Sequence, residues 1–295
     1  MYAASSIGNT AKEGQANMMH EITDITELRD IELAIAKKIH TFCEQNDIRY
    51  CLSCGSLIGS VRHKGFIPWD DDIDMFMPRP DYEKFLGTFR EYGSENGLFI
   101  ASNRTEHYFA RTFLKVCDAR TVLTETKLRD KEPLGVFVDI WPLDGLPDNR
   151  ILRALHMIRA AIQFKALICS INRLDYMSTR SLFKRAAVAL GCMINYKKAA
   201  ERLDKTSKKY PFETGGYVNC YARKCCRFER KLFDKSVLSA FEDTQFYIPE
   251  NYDRILKIEY GDYLKLPPVE QRFAHHVFRA YWVCSEEKAA AGNCK

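Results

Sequence analysis

The chain has 295 residues, with 44 Lys and Arg against 39 Asp and Glu, giving a formal charge of +5 with histidines neutral. Apolar residues are 46% and charged residues 28%, usage that excludes a wholly disordered, collagen-like or coiled-coil chain. So small an excess, spread evenly, gives no phosphate-tracking surface, and no nucleic-acid partner is expected.

Residues 1–23 are rich in Ala, Ser, Gly and Asn and lack the apolar block of a signal peptide. They read as a disordered tail. No stretch of about 18 residues stays free of charge, so no transmembrane helix is predicted, and a cytoplasmic protein is expected. The 11 cysteines then read as thiols. Cys51 and Cys54 form a C-x-x-C, but Cys220, Cys225 and Cys226 lack the spacing to complete a zinc site. Small buried apolar groups are the preferred reading.

From Asp24, apolar Leu28, Ile31, Ile35, Ile39 and Phe42 recur at helical spacing and predict an amphipathic helix to about Glu44. Ile48–Ser53 predicts a strand that stops at Gly55, where another helix opens over Ser56–Val61. The segment Lys64–Trp69 is a turn-rich loop. Asp72–Met77 predicts a second strand, and Pro78-Arg79-Pro80 separates it from a helix around Tyr82–Phe89. Short strands are expected at Leu98–Ala101, Tyr108–Val116, Thr121–Thr124 and Val136–Trp141. Together these predict an α+β catalytic core over residues 24–147.

The next segment changes character. Between Arg150 and Lys209 there are 14 Lys and Arg and 3 Asp and Glu, a local +11 that leaves all other residues at −6 within the total of +5. Runs such as Ile151, Leu155, Ile158 and Ile162 predict a basic helical subdomain over residues 148–210. Such a surface is either a solvated face or a docking face for an anionic membrane. Residues 211–295 carry Pro249, Pro267 and Pro268 as punctuation, with helices expected at Tyr252–Glu259 and around Val269–Tyr281.

The densest chemical signal is Asp70-Asp71-Asp72-Ile73-Asp74. On a strand, Asp72 and Asp74 point to one face and Ile73, Met75 and Met77 to the other. Two like charges held together beside an apolar run are costly unless a cation neutralises them. Oxygen-only ligation favours Mg²⁺ or Mn²⁺. An EF-hand fails, because Met75 stands where the loop glycine belongs and Asp81 where the terminal Glu belongs. A surface acidic loop, the D-x-D of a glycosyltransferase and a nucleotidyltransferase-type site all remain open. The last predicts a Gly-Ser at a strand-to-helix turn for phosphates, supplied by Gly55-Ser56, and a third acid. Asp139, set among Val, Phe, Ile and Trp, is that candidate. Arg62, Lys64, Arg111 and Lys115 are candidate partners for phosphate charge.

The run Cys54-Gly55-Ser56-Leu57-Ile58-Gly59-Ser60-Val61-Arg62-His63-Lys64-Gly65-Phe66-Ile67-Pro68-Trp69-Asp70-Asp71-Asp72-Ile73-Asp74 resembles the signature of the LicD family. Further blocks agree: Phe113-Leu114-Lys115 with Arg120-Thr121, Val138–Leu146, and Tyr260–Pro268 running on to His275-His276. The family belongs to the polymerase-β-like nucleotidyltransferases and includes bacterial phosphocholine transferases and the fukutin group. The resemblance spans about Leu28 to Trp282. It implies a nucleotidyltransferase-like mixed sheet, completed by the C-terminal segment. It also implies metal ligation and catalysis by Asp72, Asp74 and Asp139, and phosphate contact by Gly55 and Ser56. Arg272, His275 and His276 become further substrate-binding candidates. The implied reaction moves phosphocholine or a related alcohol phosphate from a CDP-linked donor to a hydroxyl of a glycan or lipid-linked glycan. Transfer of the nucleoside monophosphate itself is the alternative. A choline head group favours an aromatic cage, for which Trp69, Tyr108 and Trp141 lie near the motifs.

Overall fold

The computed structural model describes residues 18–125, 134–172, 182–221, 227–272 and 278–284. The first long element, α1 (Ile25–Gln45), starts where Asp24 accepts a hydrogen bond from Thr26 N–H at 2.8 Å, a side-chain N-cap. Its stripe of Leu28, Ile31, Ile35, Ile39 and Phe42 is buried. Strand β2 (Cys51–Leu52) leads into α2 (Cys54–Ile58), which continues as a π-helical turn over Gly59–His63. Then follow β3 (Asp74–Pro78) and α3 (Arg79–Glu95), whose first turn carries Pro80 and Asp81, both suited to a helix start.

Strands β4 (Leu98–Ser102), β5 (His107–Tyr108), β6 (Leu114–Asp118), β7 (Thr121–Glu125) and β8 (Phe137–Leu146) complete the first half. Helices α4 (Arg150–Ile171), α5 (Leu182–Gly191) and α6 (Tyr196–Ser207) follow, then β9 (Tyr217–Asn219) and β10 (Arg227–Glu229). The chain closes with the hairpin β11 (Ser236–Phe241) and β12 (Thr244–Pro249), helix α7 (Tyr252–Tyr260) and strand β13 (Phe278–Cys284).

The central mixed sheet runs β10-β9-β8-β6-β4-β5, with β3 joined to β8 in parallel and β2 to β3 antiparallel. Helices α1 and α3 pack through Phe42, Phe85 and Phe89, whose rings meet at 4.5–5.6 Å. Burying each such ring contributes roughly 1.5–3 kcal/mol. This wedge gives β3 and β8 a rigid backing. A second sheet, β1 (Met18–Ile22) with β13 and β7, ties the two ends of the described chain together.

The α+β class stands, with several local departures. Met18–Ile22, expected within the disordered tail, pairs as a strand with β13. The expected helix around Val269–Tyr281 gives way to a single 3-10 turn at Val269–Gln271 and to β13. Pairing of β13 with β1 on one side and β7 on the other overrides the helical spacing. The expected strand Tyr108–Val116 is split by an irregular stretch over residues 109–113. β3 begins at Asp74, two residues later than expected, leaving Asp72 in the irregular segment that leads into it. β9 to β12 were not anticipated.

Helix α4 also differs from the basic amphipathic reading. It is long and apolar enough to cross a membrane by length and composition, although it contains Arg150, Arg153, Arg159 and Lys165. Its outward stripe is apolar, and Arg153 and His156 lie on its buried face.

Candidate functional site

Strands β3, β8 and β6 lie side by side, and their registers put Asp74 opposite Asp139 and Asp139 opposite Lys115. Directly opposite residues share a sheet face, so an acid, an acid and a base form a row across three strands. Lys115 Nζ donates to Asp139 Oδ1 at 2.7 Å, and both side chains are buried. The same ammonium lies 3.1 Å from the centroid of the Phe137 ring. Trp141 lies two residues beyond Asp139 and therefore on the same face; its Nε1 donates to Asp74 Oδ1 at 2.8 Å. Each acid of the row is thus oriented by a fixed donor.

Asp72, Asp74, Asp139, Lys115, Arg111 and Gly55 line one cavity of about 500 Å³ together with Asp70. Its apolar wall includes Trp69, Phe109, Phe113, Trp141 and Tyr260, with Phe113 stacked on Trp141 at 3.7 Å. The irregular stretch over residues 109–113 is what brings Phe109, Arg111 and Phe113 to the cavity. Among the described residues that line it, four carboxylates face two cations, an excess of negative charge.

The acidic loop ahead of β3 is held from α1. Arg29 donates through Nε and Nη2 to the Asp70 carbonyl at 3.0 and 2.7 Å, and through Nη2 to the Ile67 and Pro68 carbonyls at 3.0 and 2.9 Å. In this loop one carboxylate oxygen from each of Asp70, Asp71 and Asp72 lies within 4.8 Å of the others. Gly55 makes room for the loop: a Cβ there would fall 2.2 Å from Asp70 Oδ2. The preceding Cys54 has φ +52°, a left-handed conformation that costs energy for a residue with a side chain.

One turn beyond Arg29, Glu32 is 2% exposed and its Oε2 has no hydrogen-bond partner among the described residues. Burial first, then Asp72, Asp71, Asp139 and Asp70, push its carboxyl well above the usual range. An orphaned buried carboxylate oxygen beside crowded acids, with no His or Cys among the described residues that line the cavity, is a donor set that fits a hard divalent cation. Glu32, Arg29, Asp70 and Asp71 were not anticipated as site residues. For Glu32 a signal existed: it is a charge inside the apolar stripe of α1, three residues before Ile35 and four after Leu28.

The other expected residues are less central. Ser56 Oγ accepts from Asp74 N–H at 2.9 Å, pinning α2 to the start of β3. Arg62 Nη1 donates to the Tyr263 carbonyl at 2.6 Å and its Nε to His63 Nε2 at 2.9 Å. Burial, then the charge of Arg272, lowers the Arg62 pKa. Arg272 itself donates to the Pro267 carbonyl and lies 5.3 Å from the Trp69 ring, placing this basic pair beside a cavity wall. Lys64 is exposed with φ +61°, and its carbonyl accepts from Glu242 N–H. His275 and His276 lie outside the described residues, as do Cys225 and Cys226. Cys51 and Cys54 are buried, and burial raises the Cys51 thiol pKa, in keeping with a packing role. Tyr108 packs against Tyr196 on α6 and does not line the cavity.

Residues 47–165 match the family model described as LicD/FKTN/FKRP, nucleotidyltransferase domain. The lipopolysaccharide cholinephosphotransferase LicD of Haemophilus influenzae is 31% identical over 256 residues, covering 84% of this chain and 94% of that protein. An uncharacterised protein of Rickettsia prowazekii is 30% identical over 116 residues, 37% of this chain and 43% of its own length. Another, from Rickettsia typhi, is 34% identical over 73 residues, 23% of this chain and 24% of its own. The paired acidic register and the clamped acidic loop lie within the matched region, and with 84% of this chain and 94% of the H. influenzae protein aligned at 31% identity, this chain belongs to the LicD family.

Proposed function

We propose that this enzyme transfers phosphocholine, or a closely related alcohol phosphate, from a CDP-linked donor to a hydroxyl of a cell-surface glycan or its lipid-linked precursor. The observation that carries this reading is the similarity to the H. influenzae cholinephosphotransferase over 84% of the chain. The cavity chemistry supports it. Trp69, Phe109, Phe113, Trp141 and Tyr260 line the cavity, the residue types that bind a trimethylammonium group at about 0.5–2 kcal/mol per cation–π contact. A ribitol or glycerol phosphate gains nothing comparable from these rings.

Asp72, Asp74 and Asp139 are the residues we assign to hold Mg²⁺ or Mn²⁺. When bound, such an ion neutralises diphosphate charge and acidifies a bound hydroxyl. In the transfer, the acceptor oxygen bonds to the choline-bearing phosphorus as the bond from that phosphorus to the bridging oxygen breaks, and CMP leaves with the electron pair. Asp139 takes the hydroxyl proton, its carboxylate held in place by the Lys115 ammonium, which donates to Oδ1 at 2.7 Å. Arg111 and Lys115, both at the cavity wall, offset negative charge on the departing nucleotide.

The test is incubation with CDP-choline and Mg²⁺, with and without lipopolysaccharide, followed by CMP release and mass spectrometry of the glycan. Acceptor-dependent CMP release with phosphocholine on the glycan supports the reading. The family model's nucleotidyltransferase description favours one second reading, transfer of CMP itself, which leaves CMP on the acceptor and releases phosphocholine. Turnover with CDP-glycerol or CDP-ribitol but not CDP-choline would overturn the head-group assignment.

A further inference from the structure

Helix α4 is amphipathic in the reverse of the usual sense. Ile151, Leu155, Ile158 and Ile162 recur at steps of three and four, and each keeps between 57% and 70% of its surface exposed. They form one stripe along about 17 Å of helix. On the opposite face Arg153 and His156 are buried. Arg153 is satisfied there, donating to the Pro147 and Asp148 carbonyls at 3.0 and 2.7 Å and stacking 4.3 Å from the Tyr217 ring. Ala160 and Leu167 pack with Leu203 of α6. Arg153 and His156, which water would solvate, are turned inward, and branched apolar side chains are turned out. A solvated surface helix has no reason for that arrangement.

The stripe does not stand alone. Leu190 and Met193, 68% and 84% exposed, flank Gly191, whose Cα abuts Cys169 near the end of α4 so closely that a Cβ would meet it at 2.5 Å. Cations border the apolar residues: Arg159 follows Ile158 directly, and Lys165 extends the stripe one turn past Ile162; both are exposed. The whole segment carries the local +11. Crossing a bilayer is excluded for α4 in this fold, because its inner face is committed to protein and carries Arg153 and His156. A second copy of the chain would bring one strongly positive segment against another. An apolar stripe bordered by cations is complementary to an anionic bilayer surface, where side chains enter the acyl boundary and Lys and Arg meet phosphate head groups.

We infer that the outward face of α4, extended by Leu190 and Met193, seats this enzyme on an anionic lipid bilayer, with the helix lying in the interfacial plane. The inference does not rest on the identity of the transferred head group; its consequence is that an enzyme so seated meets a lipid-borne acceptor at the surface where that acceptor resides. α4 begins four residues after β8 ends, and β8 carries Asp139 about 23 Å along the strand from Leu146. The seat and the cavity are therefore linked by one rigid strand.

The experiment is vesicle flotation of the full chain with phosphatidylcholine alone and with phosphatidylcholine mixed with phosphatidylglycerol. Wild-type protein is expected to float with the anionic vesicles, and the combined Leu155→Asp, Ile158→Asp and Ile162→Asp variant to lose at least about tenfold in partitioning. The melting temperature of that variant, whose changes are all on exposed side chains, checks that it folds. A second variant, Arg159→Glu with Lys165→Glu, is expected to lose the preference for anionic over neutral vesicles. Wild-type protein that floats with neither vesicle overturns the inference, as does a triple variant that floats undiminished. Concentration-dependent dimerisation abolished by the triple variant, without vesicle binding, overturns it in favour of a second copy. Loss of flotation with turnover on CDP-choline unchanged supports the seat independently of the activity, and absence of that turnover leaves the flotation result to stand by itself.

Discussion

Asp74 on β3 and Asp139 on β8 are register partners on adjacent parallel strands. Their Cα atoms are therefore held about 4.8 Å apart with both carboxylates on one face, and on the far side Asp139 meets Lys115 at 2.7 Å. Two acids so placed repel each other, and the sheet leaves them little room to separate. Asp74→Asn is expected to lower turnover by at least about 100-fold, the scale of removing one charge-stabilising group, with the melting temperature kept within a few degrees.

Asp139→Asn should differ from Asp74→Asn in stability. It leaves the Lys115 ammonium buried without its carboxylate, at a cost of about 3–5 kcal/mol. Adding Lys115→Met is expected to restore most of the unfolding free energy in urea while turnover stays lost. Equal stability of Asp139→Asn and wild type would show that the pair is solvated.

Arg29 holds the acidic loop by four hydrogen bonds to three carbonyls. Arg29→Lys keeps the charge but cannot reach all three with one ammonium. Turnover should fall roughly tenfold to 100-fold through misplacement of Asp70 and Asp72, with stability lowered by only about 1–2 kcal/mol. An unchanged rate would mean that the loop is fixed by Gly55 and the neighbouring turns alone.

Much of this site is written in local sequence. The alternation over Asp74-Met75-Phe76-Met77 and over Val138-Asp139-Ile140-Trp141 marks two buried strands whose acids share a face, and both form. What could not be read locally was set by long-range pairing. β13 is a strand because β1 and β7 flank it, and its own spacing reads as helix. The β11–β12 hairpin turns at Glu242-Asp243 with Glu242 at φ +52°, a turn without the Asn-Gly or Asp-Gly that announces one. Glu242 is held there by its own contacts, accepting from Phe66 N–H at 2.9 Å. The reversed polarity of α4 was equally hidden: Ile151, Leu155, Ile158 and Ile162 were legible as a stripe, but which side of the helix met the protein was decided by Leu146, Leu203 and Tyr221.

Asp144, in the same motif strand as Asp139, is a structural acid. It accepts from Arg79 Nε and Nη2 at 2.6 and 2.8 Å, and Arg79 Nη1 reaches Asp204 of α6 at 3.3 Å. Burial opposes the Arg79 charge, but Asp144 and then Asp204 outweigh it and hold the guanidinium pKa above its ordinary value. This triad bolts α3 to β8 and α6. Arg79→Met strands the buried Asp144 carboxylate, while Asp204 keeps Lys208 at 3.1 Å; it is expected to cost about 3–5 kcal/mol, whereas Arg79→Met with Asp144→Asn should recover part of that. Urea unfolding of the two proteins checks it; a single variant as stable as wild type would show the triad to be dispensable.

Glu32 supplies a pH-dependent test. Its folded pKa is raised, by burial first and then by Asp72, Asp71, Asp139 and Asp70, above an unfolded value of about 4.3. A carboxyl raised in this way contributes its stability fully below the unfolded pKa, and that contribution is lost as pH rises through the folded pKa. In chelator, Glu32→Gln, which mimics the neutral acid, is therefore expected to equal wild type near pH 4 and to exceed it increasingly towards pH 8. Mg²⁺ or Mn²⁺ should stabilise wild type more than Glu32→Gln at pH 8, because only wild type has a further negative charge for the cation to offset. The measurement is the melting temperature of both proteins across that range, with and without metal. A variant no more stable than wild type at pH 8 in chelator would mean that Glu32 is not destabilised by its acidic neighbours in the folded enzyme.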